Sequence, residues 1–343
     1  MPSWKLPNKR KAKINRLFLW KPRSRPKTPF RCETAAIAAD FTRSGQPKPR
    51  LTDNNGPPQP DIRMPTLRQI LDTAAAELAR RLGLSAHEAR IEAHNLAGHA
   101  LGVNRAWLVA HDRDALAPEA QARIEPLIAR RTAGEPVAYL VGAREFYGRA
   151  FKVGPGVLIP RPETEHLVEA ALKRAPHNAR TLDIGTGSGC IAITLKLERP
   201  DLQVGAVDVS ADALKIARAN ATEWRVEIEF IESDLFSALD GREFELIVSN
   251  PPYIPEADAH LSQGDLRFEP RNALASGPDG LDAIRLIIDQ AKRHLAPGGW
   301  LLFEHGYDQG EAVQDLLKTT GYAEVFLEQD LAGQPRVSGG RLL

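Results

Sequence analysis

Hydrophobic positions change their period twice along this chain, and each change marks a different kind of element. From Met64 to about Gly134 the period is helical. Leu67, Ile70, Leu71, Ala74, Leu78 and Leu82 recur at i, i+3 and i+4, the apolar stripe of an amphipathic helix. Ser85 with Glu88 forms a capping box that opens a second helix running to about Leu101. Asn104 is placed to cap a short helix through Trp107 and Leu108. Pro118 suits the first turn of another, with Gly134 just past its end. The pattern predicts a small helical bundle over 64–134.

The helical period is lost over 135–160. Val137-Ala138-Tyr139-Leu140-Val141 and Ala150-Phe151-Lys152-Val153 flank Tyr147-Gly148-Arg149, which predicts a β-hairpin bridging two domains. From 161 onward short apolar strands alternate with helices. Helices are expected at 163–174, 189–198, 211–221, 280–295 and 309–319. Strands are expected at 181–184, 204–207, 227–231, 244–249 and 300–303, with two more near 322–328 and 335–341. This alternation predicts an α/β fold, a Rossmann-like and mostly parallel seven-stranded sheet covered on both faces, with ligands bound beyond the carboxyl ends of the strands.

Charge separates one further segment. Residues 1–63 are rich in Pro, Lys and Arg and hold 15 Lys/Arg against 4 Asp/Glu, whereas 64–343 hold 30 against 40. The net charge of +1 therefore conceals a basic tail on an acidic body. With no sustained period the tail reads as disordered. The only methionines are Met1 and Met64, and Met64 stands directly before the first periodic segment. That favours an upstream extension of the reading frame, absent from the working protein. The rival is a basic arm that engages the phosphates of nucleic acid or the ribosome. The expected organisation is thus a tail at 1–63, a helical domain at 64–134, a hairpin linker at 135–160 and a catalytic domain at 161–343.

Composition excludes several classes. Two cysteines, Cys32 and Cys190, exclude a disulfide framework and a multi-cysteine zinc site. His87, His94 and His99 have no further ligands at a metal-site spacing, so no metal is expected. No apolar run reaches the roughly 18 residues of a membrane span, and no secretion signal is visible. A cytoplasmic protein follows. Cys190 lies in the first turn of a helix, a place that lowers a thiol pKa, but without a partner base it reads as a packing residue.

The chemistry gathers at strand ends. Asp183-Ile184-Gly185-Thr186-Gly187-Ser188-Gly189 joins the first strand of the sheet to the next helix, and its glycines allow a tight turn and close approach to a ligand. The loop lacks the G-x-x-G spacing that seats a pyrophosphate, and Asp183 disfavours an anion but suits an ammonium or sulfonium. Asp208 ends the second strand, where its carboxylate can accept from both ribose hydroxyls of a nucleoside. Asp234 ends the third, where it can receive an adenine amine while Leu235 packs on the ring. For either aspartate alone, a helix cap is an equal reading.

Asn250-Pro251-Pro252-Tyr253 follows the apolar strand 244–249. Its prolines fix φ, remove donors and push Asn250 out of the α region, which presents carbonyl oxygens on a stiff backbone. The Asn250 side-chain oxygen and the Pro251 carbonyl can then accept the two N–H bonds of a planar NH₂ group, with Pro252 stiffening the turn and Tyr253 stacking on the plane. Such a hold aligns a poorly nucleophilic nitrogen with a methyl donor and stabilises the charge that develops on it.

Acid–glycine loop, acid, acid and N-P-P-Y in this order resemble the class I S-adenosylmethionine-dependent methyltransferases. The tetrapeptide alone is shared by enzymes that methylate adenine amines and by those that methylate glutamine amides. The flanks decide. Gly134-Glu135-Pro136-Val137-Ala138-Tyr139-Leu140, Glu145-Phe146-Tyr147-Gly148 and Ile159-Pro160-Arg161-Pro162-Glu163-Thr164-Glu165 resemble the HemK/PrmC family of release-factor glutamine methyltransferases. So do Phe268-Glu269-Pro270 with Ala273-Leu274, Gly280-Leu281-Asp282, and Asp330-Leu331-Ala332-Gly333 with Arg336-Val337.

The resemblance spans about 64–343. It implies methyl transfer from S-adenosylmethionine to the glutamine of the Gly-Gly-Gln motif in peptide-chain release factors, with the helical domain helping to grip that protein. It implies cofactor contacts at residues 185–189, Asp208, Leu235 and Asn250, and a glutamine held by residues 250–253. Leu235 departs from relatives that place an aromatic there, and the tail has no expected counterpart. The alternatives are an adenine amino-methyltransferase acting on DNA or RNA, disfavoured by the acidic body, and a ribosome-binding protein with a vestigial fold, disfavoured by the intact glycine loop and tetrapeptide.

Overall fold

The computed structural model describes residues 64–343. The basic segment 1–63, and with it both readings of the tail and Cys32, lies outside the described residues. The first helices are α1 (Leu67–Leu82), α2 (Ala86–Leu101), α3 (Arg105–Ala110) and α4 (Pro118–Thr132). Capping boxes at Thr66/Gln69 and Ser85/Glu88 satisfy the first free N–H groups of α1 and α2, and Gly83 and Gly102 end both helices in the left-handed conformation. Leu67, Leu71 and Leu78 of α1 bury against Ala89, Ala93 and Ala97 of α2, with Leu108 and Ile124 closing the cluster. The alanine face of α2 lets the leucines pack closely, and each buried leucine contributes about 1.5–3 kcal/mol.

One expectation fails here. Val137–Val141 is not a strand but a single helical turn, α5, entered at Pro136 and stopped by Gly142 at φ 74°. A turn of helix buries Tyr139 and Leu140 on one side, and the Tyr139 hydroxyl donates to the Val157 carbonyl at 2.7 Å. Alternating burial along a strand would have split that pair. The hairpin exists but starts later, as β1 (Ala143–Phe146) and β2 (Arg149–Lys152). Its two turn residues, Tyr147 and Gly148, both have positive φ, the geometry of a two-residue type I′ turn.

The sheet is built from β3 (Arg180–Ile184), β4 (Gln203–Asp208), β5 (Glu229–Glu232), β6 (Phe244–Ser249), β7 (Leu295–Glu304), β8 (Ala323–Gln329) and β9 (Pro335–Arg341). Its order is β5-β4-β3-β6-β7-β9-β8. The β3–β4, β3–β6, β4–β5 and β6–β7 pairs are parallel, and only β9 runs antiparallel to its neighbours. The covering helices are α6 (Glu165–Arg174), α7 (Cys190–Glu198), α8 (Ala211–Trp224), α9 (Asp282–Ala291) and α10 (Gly310–Thr320). A short 3₁₀ turn, Pro162–Thr164, precedes α6.

Alternation in β6 divides the core between the faces. Leu246 and Val248 pack with Leu167, Ile193 and Leu195 on one face, while Ile247 packs with Ile284, Ile288 and Leu317 on the other. Burial on both faces explains why 244–249 reads as a continuous apolar run. This is the class I methyltransferase fold, with a helical region before it. No helix among the described residues is long and apolar enough to cross a membrane.

Candidate active site

Chain order reverses at β3, which has β4 on one side and β6 on the other, and a cavity of about 260 Å³ opens at the carboxyl ends of these strands. Gly185, Gly187, Asp208, Asp234, Leu235, Asn250, Pro251 and Pro252 all line it. A larger, open depression of about 1210 Å³, lined by Arg180, Gln203, Glu229 and Phe244, holds none of the sequence-predicted site residues.

The glycine loop divides by role. Gly185 and Gly187 have φ of +68° and +56°, and a Cβ on either would meet nothing within 4 Å, so their backbone borders open space. Gly189 does different work. A Cβ there would lie 3.1 Å from Ile193 and 3.2 Å from Ala217, so its bareness lets α7 pack on α8.

Asp183, Thr186, Ser188 and Gly189 are not on the cavity wall; they stand behind it. Thr186 donates from its backbone to the Val207 carbonyl at 2.9 Å, and the Ser188 carbonyl accepts from Asn220 at 2.8 Å. Asp183 is fully buried, its Oδ2 accepting from the Thr186 hydroxyl at 2.7 Å and from the Ala192 amide at 3.3 Å, while Oδ1 has no partner. Burial pushes its pKa up to about 7. The expectation that Asp183 meets a ligand directly therefore becomes a longer-range one: its charge reaches the loop through low-dielectric protein.

Asp208 is both wall and brace. Its Oδ2 accepts the Gly187 amide at 2.8 Å and its Oδ1 the Ser210 amide at 2.9 Å, and burial raises its pKa. Spacing alone did not show that this carboxylate holds the glycine loop. Leu235 sits at φ +49°, an unusual conformation for a non-glycine residue, and its carbonyl accepts from the Ser233 hydroxyl at 2.9 Å. Cys190 is buried and its pKa is pushed up to about 12 by desolvation, which fits a packing residue.

Asn250 follows Ser249, whose hydroxyl donates to the Ile184 carbonyl at 2.9 Å and locks the β6 end onto β3. The Asn250 Nδ2 donates to the Thr164 hydroxyl at 3.1 Å, and its buried Oδ1 has no partner. A buried carbonyl left without a donor costs roughly 1–3 kcal/mol. The Tyr253 ring is packed against the core beside α9, and its hydroxyl donates to Glu304 Oε1 at 3.1 Å. Its backbone carbonyl accepts from Gln309 Nε2 at 3.0 Å. Tyr253 is thus absent from the cavity wall and anchored behind it.

Several site residues escaped the sequence reading. Val209 and Leu286 are exposed apolar residues on the cavity wall, and Pro270 and Asn272 reach it from the loop after β6. Glu269, quoted only as part of a family motif, accepts from the Ile159 amide and from Arg161, and so ties this loop to the segment before α6. Glu304 had a signal: an acid ending the apolar run 300–303 on the strand beside β6.

Residues 162–266 match the Methyltransferase small domain family and residues 69–142 the PrmC N-terminal domain family. The chain is 49% identical over 256 residues to a release factor glutamine methyltransferase of Neisseria gonorrhoeae, covering 74% of this chain and 94% of that protein. It is 50% identical over 256 residues to one of Bordetella pertussis, covering 74% and 95%. Among solved structures, a release factor-specific protein-(glutamine-N5) methyltransferase of Alicyclobacillus acidocaldarius is 35% identical, with 56% of this chain and 99% of that chain covered and a TM-score of 0.36.

Proposed function

The chain belongs to the family of release factor glutamine methyltransferases, and from that premise we propose how its cavity performs the reaction. The protein is a methyltransferase that modifies a glutamine side-chain amide of release factors. The acceptor we assign is the glutamine of their Gly-Gly-Gln motif, and the donor is S-adenosylmethionine. When bound, that donor supplies a methyl group on a sulfonium centre.

The residues present fit it. Gly185 and Gly187 leave backbone-lined space, Asp208 and Asp234 offer acceptors at successive strand ends for ribose and adenine, and Leu235, Val209 and Leu286 offer apolar surface for the ring. Buried Asp183, once ionised above about pH 7, supplies negative potential suited to a cation.

The single observation that carries the acceptor assignment is Asn250 Oδ1, a buried acceptor on a cavity residue with no donor in the protein. The substrate amide's N–H is the donor it lacks. With the Pro251 carbonyl accepting the second N–H, the NH₂ is fixed in rotation, and both oxygens face the positive charge that builds on nitrogen during transfer. Prolines 251 and 252 keep this geometry without reorganisation. Tyr253 contributes by holding the turn from behind, through its hydroxyl on Glu304. The helices at 67–132 are the part we assign to gripping the release factor, an activity that belongs in the cytoplasm with translation.

Purified protein, S-adenosylmethionine and a release factor give the test. Mass spectrometry should find a monomethylated Gly-Gly-Gln peptide, and Asn250→Ala should lower kcat by about 10²–10³, the loss typical of removing one oriented charge-stabilising group. An unmodified peptide from the wild-type reaction refutes the proposal.

A further inference from the structure

Gln309 stands just before α10 and is 8% exposed. Every polar group of its side chain is used, and by three different segments. Nε2 donates to the Tyr253 carbonyl at 3.0 Å and to the Asp279 carbonyl at 3.3 Å, while Oε1 accepts the Gly306 amide at 2.8 Å. These partners fix the sense of the amide. Turned over, its oxygen would face two carbonyls and its NH₂ would face an N–H.

Each of the three segments borders the site. Tyr253 ends the tetrapeptide assigned to the glutamine amide. Asp279 and Gly280 lead into α9, whose Ala283, Leu286 and Ile287 line the cavity. Gly306 follows β7, the strand beside β6. The first two segments lie in contact: a Cβ on Gly280 would fall 2.2 Å from the Tyr253 carbonyl oxygen and 2.8 Å from Gln309 Nε2.

The tetrapeptide needs such a hold from outside. Pro251 and Pro252 have no N–H to donate, and their rings fix φ but leave ψ to the surroundings. Neighbours can therefore grip this stretch by its carbonyls and side chains. The Ser249 hydroxyl on Ile184 anchors the chain before it, and the Ile254 amide on the Leu274 carbonyl, at 2.9 Å, anchors the chain after it. Gln309 grips within it, at the Tyr253 carbonyl, two residues beyond the Pro251 carbonyl that accepts the substrate N–H.

We propose that Gln309 is a positioning residue that sets where the Pro251 carbonyl stands relative to the methyl donor, by clamping the end of the tetrapeptide to the loop before α9 and to the turn after β7. The inference rests on the assignment of the tetrapeptide as the holder of the glutamine amide. Gln309 is absent from the cavity wall and acts through Tyr253.

The experiment measures kcat, KM for the release factor, the cofactor dissociation constant and the melting temperature of Gln309→Met and Gln309→Asn. Gln309→Met keeps the length of the side chain and removes all three bonds. Gln309→Asn keeps the amide but is one methylene too short to span the three segments, and it decides if the methionine variant does not fold. Either variant, folded at the assay temperature, should lower kcat roughly 10- to 100-fold, because a displacement of about 1 Å near the reacting atoms can cost 10². KM and the cofactor dissociation constant should stay within about threefold, since no group on the cavity wall changes.

Wild-type kcat retained by Gln309→Met overturns the proposal. So does a cofactor dissociation constant that rises in proportion to the loss of kcat, which marks a general loosening of the site. Failure of both variants to fold overturns it as well, because Gln309 would then serve stability and not position. These outcomes are separable from failure of the functional assignment, in which the wild-type protein itself would leave the release factor unmodified.

Discussion

Asp183→Asn offers a sharp test of the electrostatics behind the glycine loop. The carboxyl is fully buried, satisfied on one oxygen only, and raised by desolvation from an ordinary 3.8 to about 7, with Asp208 adding like-charge repulsion. Three pKa units correspond to about 4 kcal/mol. The sign follows from proton counting. Between about pH 4 and pH 7 the folded protein holds this proton and the unfolded chain has released it, so stability falls as pH rises. The contribution is fully present below about pH 4 and is lost as pH rises through 7.

In the asparagine variant a neutral amide oxygen can still accept from Thr186 and Ala192, and the slope disappears. Urea unfolding followed by tryptophan fluorescence at pH 5, 6, 7 and 8 should show the variant gaining on the wild type by about 2.5 kcal/mol across that range, the share of the roughly 4 kcal/mol that linkage places there. The gain in stability should come with weaker binding of the cationic donor, because the charge that burdens the free fold favours a sulfonium nearby. Parallel stability curves for the two proteins from pH 5 to 8 would refute the reasoning, as would a variant that is the less stable one at pH 8.

Other perturbations test other layers. In Gly280→Ala the new Cβ would sit 2.2 Å from the Tyr253 carbonyl oxygen at a φ of +78°, so either the tetrapeptide or the turn must move. We expect a stability loss of about 1–3 kcal/mol and a fall in kcat that exceeds it in effect, read by melting and by methyl transfer. Leu78→Ala, at a fully buried position of the helical core, should cost about 2–5 kcal/mol in urea unfolding. Arg131, 4% exposed, pairs with Glu92 and Asp265 and so fastens α4 to α2 and to the loop over the site. Arg131→Met should cost roughly 3 kcal/mol or more by leaving Glu92 without its partner, seen as a lowered melting temperature. A short Gly-Gly-Gln peptide should be a poorer substrate than the intact release factor, through KM more than kcat, if the helices grip the factor's body.

Much of this was visible in the chain itself because the signals are local. Capping boxes at Ser85/Glu88, the helical stripe from Leu67 to Leu82, and the apolar run 244–249 need only neighbours in sequence to declare themselves. The stretch 137–141 misled for the complementary reason: five apolar residues fit a strand or one helical turn equally, and the choice fell to how Tyr139 and Leu140 could bury together. The glycine loop, Asp208, Asp234 and the tetrapeptide were legible as parts of one site because parallel strands deliver their carboxyl ends to the same edge.

The direction in which those residues act was a tertiary matter. Sequence placed Asp183 and Tyr253 with the ligands, whereas the fold sets both behind the wall, one under the glycine loop and one on Glu304. Nothing in the order of residues links Thr164 to Asn250 or Tyr253 to Glu304. They meet because β6 lies beside β7 and the turn before α6 closes over both. Sequence determined which chemical groups the protein has and, through periodicity, which elements carry them. Burial and the reach of hydrogen bonds between distant segments decided which oxygen remains free to accept, since that depends on desolvation and partners that only the packed chain supplies.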